Sequence, residues 1–322
     1  MKSIRIKAAL FTLFMAACGG GFAQAWPSRP ARIIVPVGAG TFGDILARLV
    51  SDELQAVFKQ PFTVENKAGA SGIIAAEFVA KSAADGYTLL IMTNSAHSAN
   101  PHLFKKLPYE PVKDFTAIAR ICYVPFLLVV AQDSPIDSLG DLVARAKTNP
   151  GKLTYGYGNT TGQVAAAAFA TLAGVNLVAV PYKTTPQAMT EVVGGRVDFL
   201  FTDAGSGAAL LKSGRLRAIA VTSEKRSALL PEVPTVEEGA RLPGYSVAAW
   251  AGLGAPAGLS GDIATKISNA LLDLTRRRNF AEKLHAMGAE PAPAPVAEFN
   301  AYLGRQLETW GQKIKEAGIE PQ

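Results

Sequence analysis

The sequence is poor in the residues that build metal centres and disulfides. It has two cysteines and three histidines among 322 residues, and it contains no CxxC or HExxH pattern. His97, His102 and His285 are not clustered along the chain, so they predict no metal site. Ser206 stands in Ala-Gly-Ser-Gly-Ala, which lacks the G-x-S-x-G spacing of a hydrolase nucleophile. We therefore expect neither a bound metal nor serine-hydrolase chemistry.

The first 25 residues have the pattern of an export signal. Three basic residues precede an apolar run from Ala8 to Ala17, and Ala23-Gln24-Ala25 is a small-residue motif of the kind that signal peptidase cuts. A membrane anchor fits less well because a span needs about 20 apolar residues. We expect a periplasmic protein that begins near Trp26. A lipoprotein cut before Cys18 is the weaker alternative, because Met15 suits that motif poorly.

Removal of the leader leaves a weakly charged chain with one cysteine. The leader holds three of the basic residues and no acid, which lowers the formal net charge from +6 to +3. A charge this small does not predict nucleic-acid binding. Cys122 then has no partner for an intramolecular disulfide, and its apolar surroundings predict buried packing. The remaining length, about 300 residues, exceeds one comfortable hydrophobic core and indicates two domains.

Strand-like and helix-like segments alternate twice along the mature chain. The first unit has strands at ARIIVPV, FTVEN and YTLLIMT, with helices at 44–58 and 73–83. The second has strands at FLLVVAQ, KLTYGYG, NLVAVPY, VDFLFTD and LRAIAVTS, with helices at 138–149, 162–173 and 185–194 and a short one after FTD. This alternation predicts two α/β lobes, each with a mostly parallel sheet covered by helices.

The end of the chain is predicted to return to the first lobe. The apolar segment GYSVAAWAGLGAPAG carries it back, and helices follow at 261–275, 280–287 and 296–317, with GAEPAPAP as a loop. The expected limits are 1–25 for the signal peptide, 26–127 and 247–322 for the first lobe, and 128–246 for the second.

Small polar residues follow the strands in both units. The loops GAGTFGD, TNSAHSAN, YGNTTGQ, YKTTPQ and FTDAGSG each lie between a strand and a helix. Ligands of open α/β sheets bind at these carboxyl ends, where helix N-termini present unpaired N–H groups and the positive end of the helix dipole. Such a site holds a carboxylate as well as a pyrophosphate. Helix capping by the same side chains is the alternative explanation.

The first of these loops also matches a dinucleotide-binding pattern. Gly38-x-Gly40-x-x-Gly43 stands between a strand and a helix, and Glu65 follows about 20 residues later, where a ribose-binding carboxylate is expected. A dinucleotide-binding oxidoreductase is therefore an alternative function. Export argues against it, because nicotinamide and flavin dinucleotides are not normally supplied outside the cytoplasmic membrane.

Several longer motifs resemble the extracytoplasmic solute receptors of tripartite tricarboxylate transporters, also called Bug receptors. These motifs are WPSRPARIIVPV, TVENKAGASGIIAAEFVAKSAADGYTLL, NPHLFKKLPYEPVKDF, VPYK with VVGGRVDFLF, LRAIAVTSEKRSALLPEVPTVEE and LPGYSVAAWAGLGAPAG. The resemblance implies a type II periplasmic binding protein, with two lobes that hinge over a small organic acid and no cofactor or enzymatic activity. It also implies a membrane permease as partner, with a sensor kinase as the alternative partner.

The resemblance implies that the ligand carboxylate is held by the first strand-helix loop and the loop after the third strand, opposite Gly/Ser-rich loops of the second lobe. The ligand would be a di- or tricarboxylate, an acidic amino acid or an aromatic acid. The residues expected to contact it are Gly40, Thr41, Phe42, Ser95, His97, Asn159, Thr160, Thr161, Thr184 and Asp203. Two of them depart from the family pattern, because Thr41 replaces a glycine and Phe42 is inserted among small residues. Phe42 would suit an aromatic or longer apolar acid.

Overall fold

A computed structural model describes residues 26–227 and 229–321. The predicted leader, with its cleavage site at Ala25 and the alternative site at Cys18, lies outside these residues. None of the helices in the two described ranges has the length and hydropathy that crossing a bilayer requires.

The first lobe starts with three parallel strands and the helices between them. They are β1 (Ala31–Val35), α1 (Phe42–Phe58), β2 (Phe62–Asn66), α2 (Ile73–Ala80) and β3 (Thr88–Thr93). A single π-helical turn, Ser95–Ala99, follows β3 and leads into the short helix α3 (Asn100–Leu103). Side chains on both faces of β1 and β3 are buried, which fits central strands covered by helices on both sides.

The second lobe repeats this arrangement. Its elements are α4 (Leu139–Thr148), β5 (Thr154–Tyr157), α5 (Thr160–Ala173), β6 (Val178–Pro181), α6 (Thr185–Val193), β7 (Phe199–Asp203), α7 (Ala204–Lys212), β8 (Leu216–Val221) and α8 (Val236–Ala240). Strand β5 pairs in parallel with both β6 and β7. The carboxyl ends of these strands, and the helices that begin there, therefore face the same side of the lobe.

One long strand, β4 (Phe115–Ala131), belongs to both lobes. Up to Pro125 it pairs with the antiparallel strand β9 (Ala248–Pro256), and from Phe126 onward it pairs with β7 and β8. The resulting strand order is β2-β1-β3-β9-β4-β7-β5-β6, with β8 and a tenth strand also paired to β4. The sequence predicted only the second half of β4, because Pro125 interrupts the apolar run at the point where the partners change.

The chain ends in helices that pack on the first lobe. They are α9 (Gly261–Arg276), α10 (Arg278–Ala286) and α11 (Val296–Glu316), and α11 lies against the Ser95–Ala99 turn and β4. The prediction that GAEPAPAP is a loop was wrong, because Glu290–Ala294 forms β10, antiparallel to β4. Prolines are tolerated in β10 because it is an edge strand with one partner.

The two crossings between the lobes are tied together by one threonine. The hydroxyl of Thr222 accepts a hydrogen bond from Phe126 N–H at 2.8 Å and donates one to the Val247 carbonyl at 2.6 Å. Thr222 N–H also donates to Phe126 O, and Val247 N–H donates to Thr222 O. The expected lobe limits at 127/128 and 246/247 fall close to these contacts and stay a prediction.

Thr222→Val should destabilise the protein, because valine keeps the shape of threonine and removes both hydroxyl hydrogen bonds. Thr222 is fully buried, so Phe126 N–H and the Val247 carbonyl would lose partners away from water, at a cost of about 1–3 kcal/mol for each group. Urea unfolding at neutral pH measures the loss. Thr309→Val is the control, since the Thr309 hydroxyl bonds Arg305 O on an exposed face of α11. Equal stability of the two variants would contradict the proposed role of Thr222.

Candidate ligand-binding site

The candidate site is a cleft between the lobes that encloses about 870 Å³, counted out to its open mouth. It lies at the carboxyl ends of β1, β2 and β3 on one side and of β5, β6 and β7 on the other. Trp250 and its neighbours on β9 form its floor together with residues of β4. The position is the one at which open α/β sheets bind their ligands.

The loop before α1 is held in place by Asp44. This carboxylate accepts hydrogen bonds from Gly40 N–H at 3.0 Å, from Asn66 Nδ2 at 3.0 Å and from two guanidinium nitrogens of Arg48 at 3.0 and 3.2 Å. Asn66 also donates to Val37 O, which joins the loop to the end of β2. Burial opposes ionisation of Asp44, but the hydrogen bonds from Arg48, Gly40 and Asn66 outweigh it and lower the pKa of the carboxyl.

The first turn of α1 opens into the cleft without a side-chain cap. Thr41 has the extended conformation of an N-cap residue, with φ −84° and ψ 167°, yet its hydroxyl donates to Gly38 O at 2.7 Å. The first N–H groups of the helix therefore need other acceptors. Phe42 N–H finds one across the cleft, in the hydroxyl oxygen of Ser206 at 3.3 Å.

The π-helical turn after β3 resembles the start of α1 in having no side-chain cap. Asn94 precedes this turn, and its side chain does not cap the turn. Its Nδ2 atom instead donates to the Thr161 hydroxyl in the second lobe at 3.1 Å, and the Ser95 hydroxyl lies 3.2 Å from the same oxygen. The two first-lobe segments thus contact the second lobe through polar groups, so the lobes meet across the cleft.

The helices of the second lobe that face the cleft are capped by their own residues. Asn159 accepts from Gly162 N–H at 2.8 Å, Thr184 from Gln187 N–H at 3.4 Å, and Asp203 from Ser206 N–H at 2.7 Å. The alternative explanation by capping therefore holds for the starts of α5, α6 and α7. It does not hold for Thr41 in the first lobe, so the amides available to an anion lie on the first-lobe side.

Asp203 is a carboxylate buried in the wall of the cleft. Burial raises its pKa, against the smaller opposing effects of hydrogen bonds from the backbone and the hydroxyl of Ser206. The Ser206 hydroxyl donates to Asp203 Oδ2 at 2.8 Å and accepts from Phe42 N–H. A chain of hydrogen bonds thus connects Asp203 to the positive end of α1 in the other lobe.

Seven of the ten predicted contact residues line the cleft, namely Thr41, Phe42, Ser95, Asn159, Thr161, Thr184 and Asp203. Their contact with a ligand remains a prediction. Gly40 does not line the cleft, because it lies in an exposed turn with φ 77° and its N–H is bonded to Asp44. Thr160 does not line it either, since its side chain is buried in the second lobe and is only 2% exposed.

His97 is the third predicted contact residue that does not line the cleft. It lies beneath the cleft instead of in its wall. Its side chain is 1% exposed and packs edge-on against Phe115, with ring centroids 4.8 Å apart. Burial lowers the pKa of His97 to about 4, and the hydrogen bond from Nδ1 to Thr93 O opposes this only in part. A neutral ring therefore supports the Ser95–Ala99 turn from below.

Sequence reasoning missed a loop that lines the cleft between β2 and α2. It is formed by Ala68, Gly69, Ala70, Ser71 and Gly72, all but Ala70 in direct contact with the cleft. The last four all have positive φ, and values of 45° and 52° at Ala70 and Ser71 are unusual outside glycine. Such strained backbone occurs most often at ligand sites. The small residues between a strand and a helix were the available signal.

The geometry does not favour the dinucleotide alternative. Glu65 forms ion pairs with Lys67 at 2.6 Å and Arg32 at 3.8 Å and does not line the cleft. In addition, β9 lies antiparallel between β3 and β4, where a doubly wound dinucleotide fold continues with a parallel strand. The glycine pattern of the first loop therefore does not belong to a dinucleotide-binding fold.

Two α/β lobes joined by two crossings, with a polar cleft at their facing strand ends, define a type II periplasmic binding protein. The family model described as the tripartite tricarboxylate transporter family receptor matches residues 46–319, and the chain belongs to this family. This confirms the predicted family and fold class. Proteins of this family are solute receptors and not enzymes, as predicted.

Relatives and solved structures agree with this assignment. The chain is 31% identical over 302 residues to the protein BugT of Bordetella pertussis, covering 92% of each chain. The structure of R. palustris Rpa4515 with adipate superposes with a TM-score of 0.89 at 35% identity, covering 92% of this chain and 100% of that one. MatC of Rhodopseudomonas palustris with bound malate gives 0.82 at 28% identity, covering 90% and 100%.

Asp44→Asn should destabilise the folded state by about 1.5–3 kcal/mol at pH 7, because the loop loses charge-assisted hydrogen bonds. The folded-state pKa of Asp44 is lowered, so its advantage over asparagine is complete above the ordinary carboxyl pKa and shrinks as the pH falls below it. Urea unfolding at pH 7 and at about pH 3 measures both effects.

The control is Asp141→Asn. Asp141 and Arg145 form the same i,i+4 pair in the first turn of α4, but the Asp141 side chain is 31% exposed, against 5% for Asp44. Its loss should cost less than about 1 kcal/mol. Equal losses in the two variants, or a loss at Asp44 that does not vary with pH, would contradict the role given to Asp44.

Gly205→Val should hold the lobes apart. A Cβ atom at Gly205 would lie 3.3 Å from Phe42 Cδ2 and 3.4 Å from Met287 O, both in the first lobe, and the γ-carbons of valine would reach further. Small-angle X-ray scattering should show a larger radius of gyration than for the wild type. Gly261→Val is the control, because nothing lies within 4 Å of its Cβ position. A variant as compact as the wild type would show that this contact does not limit closure.

Proposed function

We propose that this chain is an extracytoplasmic receptor that captures a small organic carboxylate in the cleft and delivers it to the permease of a tripartite tricarboxylate transporter. The observation that carries the proposal is the difference between the two walls of the cleft. The helix start on the first-lobe side is not capped by its own side chain, whereas those on the second-lobe side are.

An anion is the ligand that such a wall accommodates best. The N-terminus of α1 combines N–H groups that lack a cap from their own loop with the positive end of the helix dipole. Hydroxyl groups of Ser71 and Ser95 line the same side, and hydroxyls donate readily to carboxylate oxygens. Fixed donors of this kind offset the cost of taking a carboxylate out of water when the lobes close.

The contacts between the lobes support capture by closure. Thr161 and Ser206 of the second lobe bond directly to Asn94, Ser95 and Phe42 of the first. These contacts exist only when the lobes are together, so a ligand that bridges both walls shifts the balance toward the closed form.

The relatives suggest which acids to examine first. Rpa4515 was solved with adipate and MatC with malate, and both are dicarboxylates. We propose an acid of this kind for the present chain. We also propose that the chain is exported after cleavage near Ala25, and that its lobes are divided at 127/128 and 246/247. Mass spectrometry of acids released from the purified protein would identify the natural ligand.

Thr41→Asp should abolish acid binding, because it places a competing carboxylate at the cap of α1. Thr41 already has the backbone conformation of an N-cap, and an aspartate there accepts from the first-turn N–H groups that a ligand would use. Thermal-shift titration with adipate, malate, glutamate and nicotinate should give a shift for at least one acid in the wild type and none in the variant.

Thr41→Asn is the matched control, since it has the same shape without the charge and should retain part of the affinity. Wild-type affinity in Thr41→Asp would show that the start of α1 does not hold the ligand. Cells that carry only the Thr41→Asp protein should also lose uptake of the acid, which tests delivery to the permease.

A further inference from the structure

Lys183 is the one cationic side chain among the described residues that line the cleft. It is exposed, and it lies in the loop between β6 and α6 on the second-lobe side. Within the described ranges it takes part in no ion pair, whereas Lys67 and Lys81 each contact a glutamate. No ion pair within the described residues therefore competes with a ligand for its ammonium group.

The backbone of the Lys183 loop is held against the loop between β5 and α5, which also lines the cleft. Lys183 N–H donates to Gln187 Oε1 at 3.3 Å, and the Asn159 amide donates to Thr185 Oγ1 at 2.9 Å. The backbone of Thr184 lies so close to Gly158 that a Cβ atom there would stand 2.1 Å from the Thr184 carbonyl carbon. The loop thus presents the lysine at a defined position, while the side chain keeps its freedom.

The charges of the two walls are unequal. In the described part of the chain, the first lobe contributes no charged side chain to the cleft, and the second lobe contributes Lys183 and Asp203. Asp203 is buried, and each of its oxygens already accepts a hydrogen bond from Ser206. Among the described residues it forms no ion pair with Lys183, so the ammonium has no carboxylate partner in the wall of the cleft.

We propose that Lys183 binds a second acidic group of the ligand and makes the receptor selective for dicarboxylates over monocarboxylates of the same length. This inference rests on the proposed function. The first carboxylate lies at the neutral donors of the first lobe, and the second lies at the ammonium of the opposite wall. A monocarboxylate leaves Lys183 unpaired, so it gains nothing from that wall.

Isothermal titration with matched acid pairs tests this assignment. The pairs are succinate with butyrate, adipate with hexanoate, and suberate with octanoate. In the wild type, at least one dicarboxylate should bind about tenfold more tightly than its partner, as expected for a charge-assisted contact at a partly exposed site. Added salt should reduce this preference, because it screens exposed charges.

Lys183→Met should remove the preference by weakening the dicarboxylate alone, and Lys183→Arg should keep most of it. Lys212→Met is the control, because it makes the same charge change at the far end of α7, outside the cleft. A full preference in Lys183→Met, or equal affinity for both acids in the wild type, overturns the role of Lys183 and leaves the proposed function standing. Failure of every acid to bind the wild type defeats both.

Discussion

The site depends on the hydrogen-bonding needs of the start of α1. The Thr41 hydroxyl bonds back to its own loop, so the first N–H groups of the helix have no side-chain cap. Buried N–H groups are costly without an acceptor. Ser206 of the other lobe meets one of them, and the proposed carboxylate ligand would meet the others. Under that proposal, the same hydrogen-bonding need favours both contact between the lobes and ligand binding.

The rest of the fold keeps those amides in position. Asp44 holds the preceding loop from within α1, and Asn66 ties it to β2. His97 supports the turn after β3 as a neutral buried ring. On the other wall, the helices satisfy their own first turns, which leaves their side chains to bridge the lobes. The two walls therefore have different chemical roles although both are built from strand-helix loops.

The long strand β4 keeps the sheet continuous from one lobe to the other. Its partners change between Pro125 and Phe126, and Thr222 connects this point to the return crossing at Val247. A small number of hydrogen bonds at such a joint can absorb a hinge motion, whereas the packed lobes on either side resist deformation.

The order of apolar and small polar segments determined the two α/β lobes and the strand-helix loops of the cleft, because burial and turn chemistry are local. This order placed Thr41 and Asp203 in loops that line the cleft, and their contact with a ligand stays a prediction. Tertiary structure alone decided the direction of β9, the pairing of proline-rich β10 and the burial of Thr160 and His97, since each depends on segments distant in sequence. Gly40 turned away from the cleft for a local reason, its hydrogen bond to Asp44. Tertiary structure also decided that Thr184 caps a helix while Thr41 does not. Both residues have the same local sequence signal, and what distinguishes them is the folded conformation of the first loop, which places Gly38 O beside the Thr41 hydroxyl.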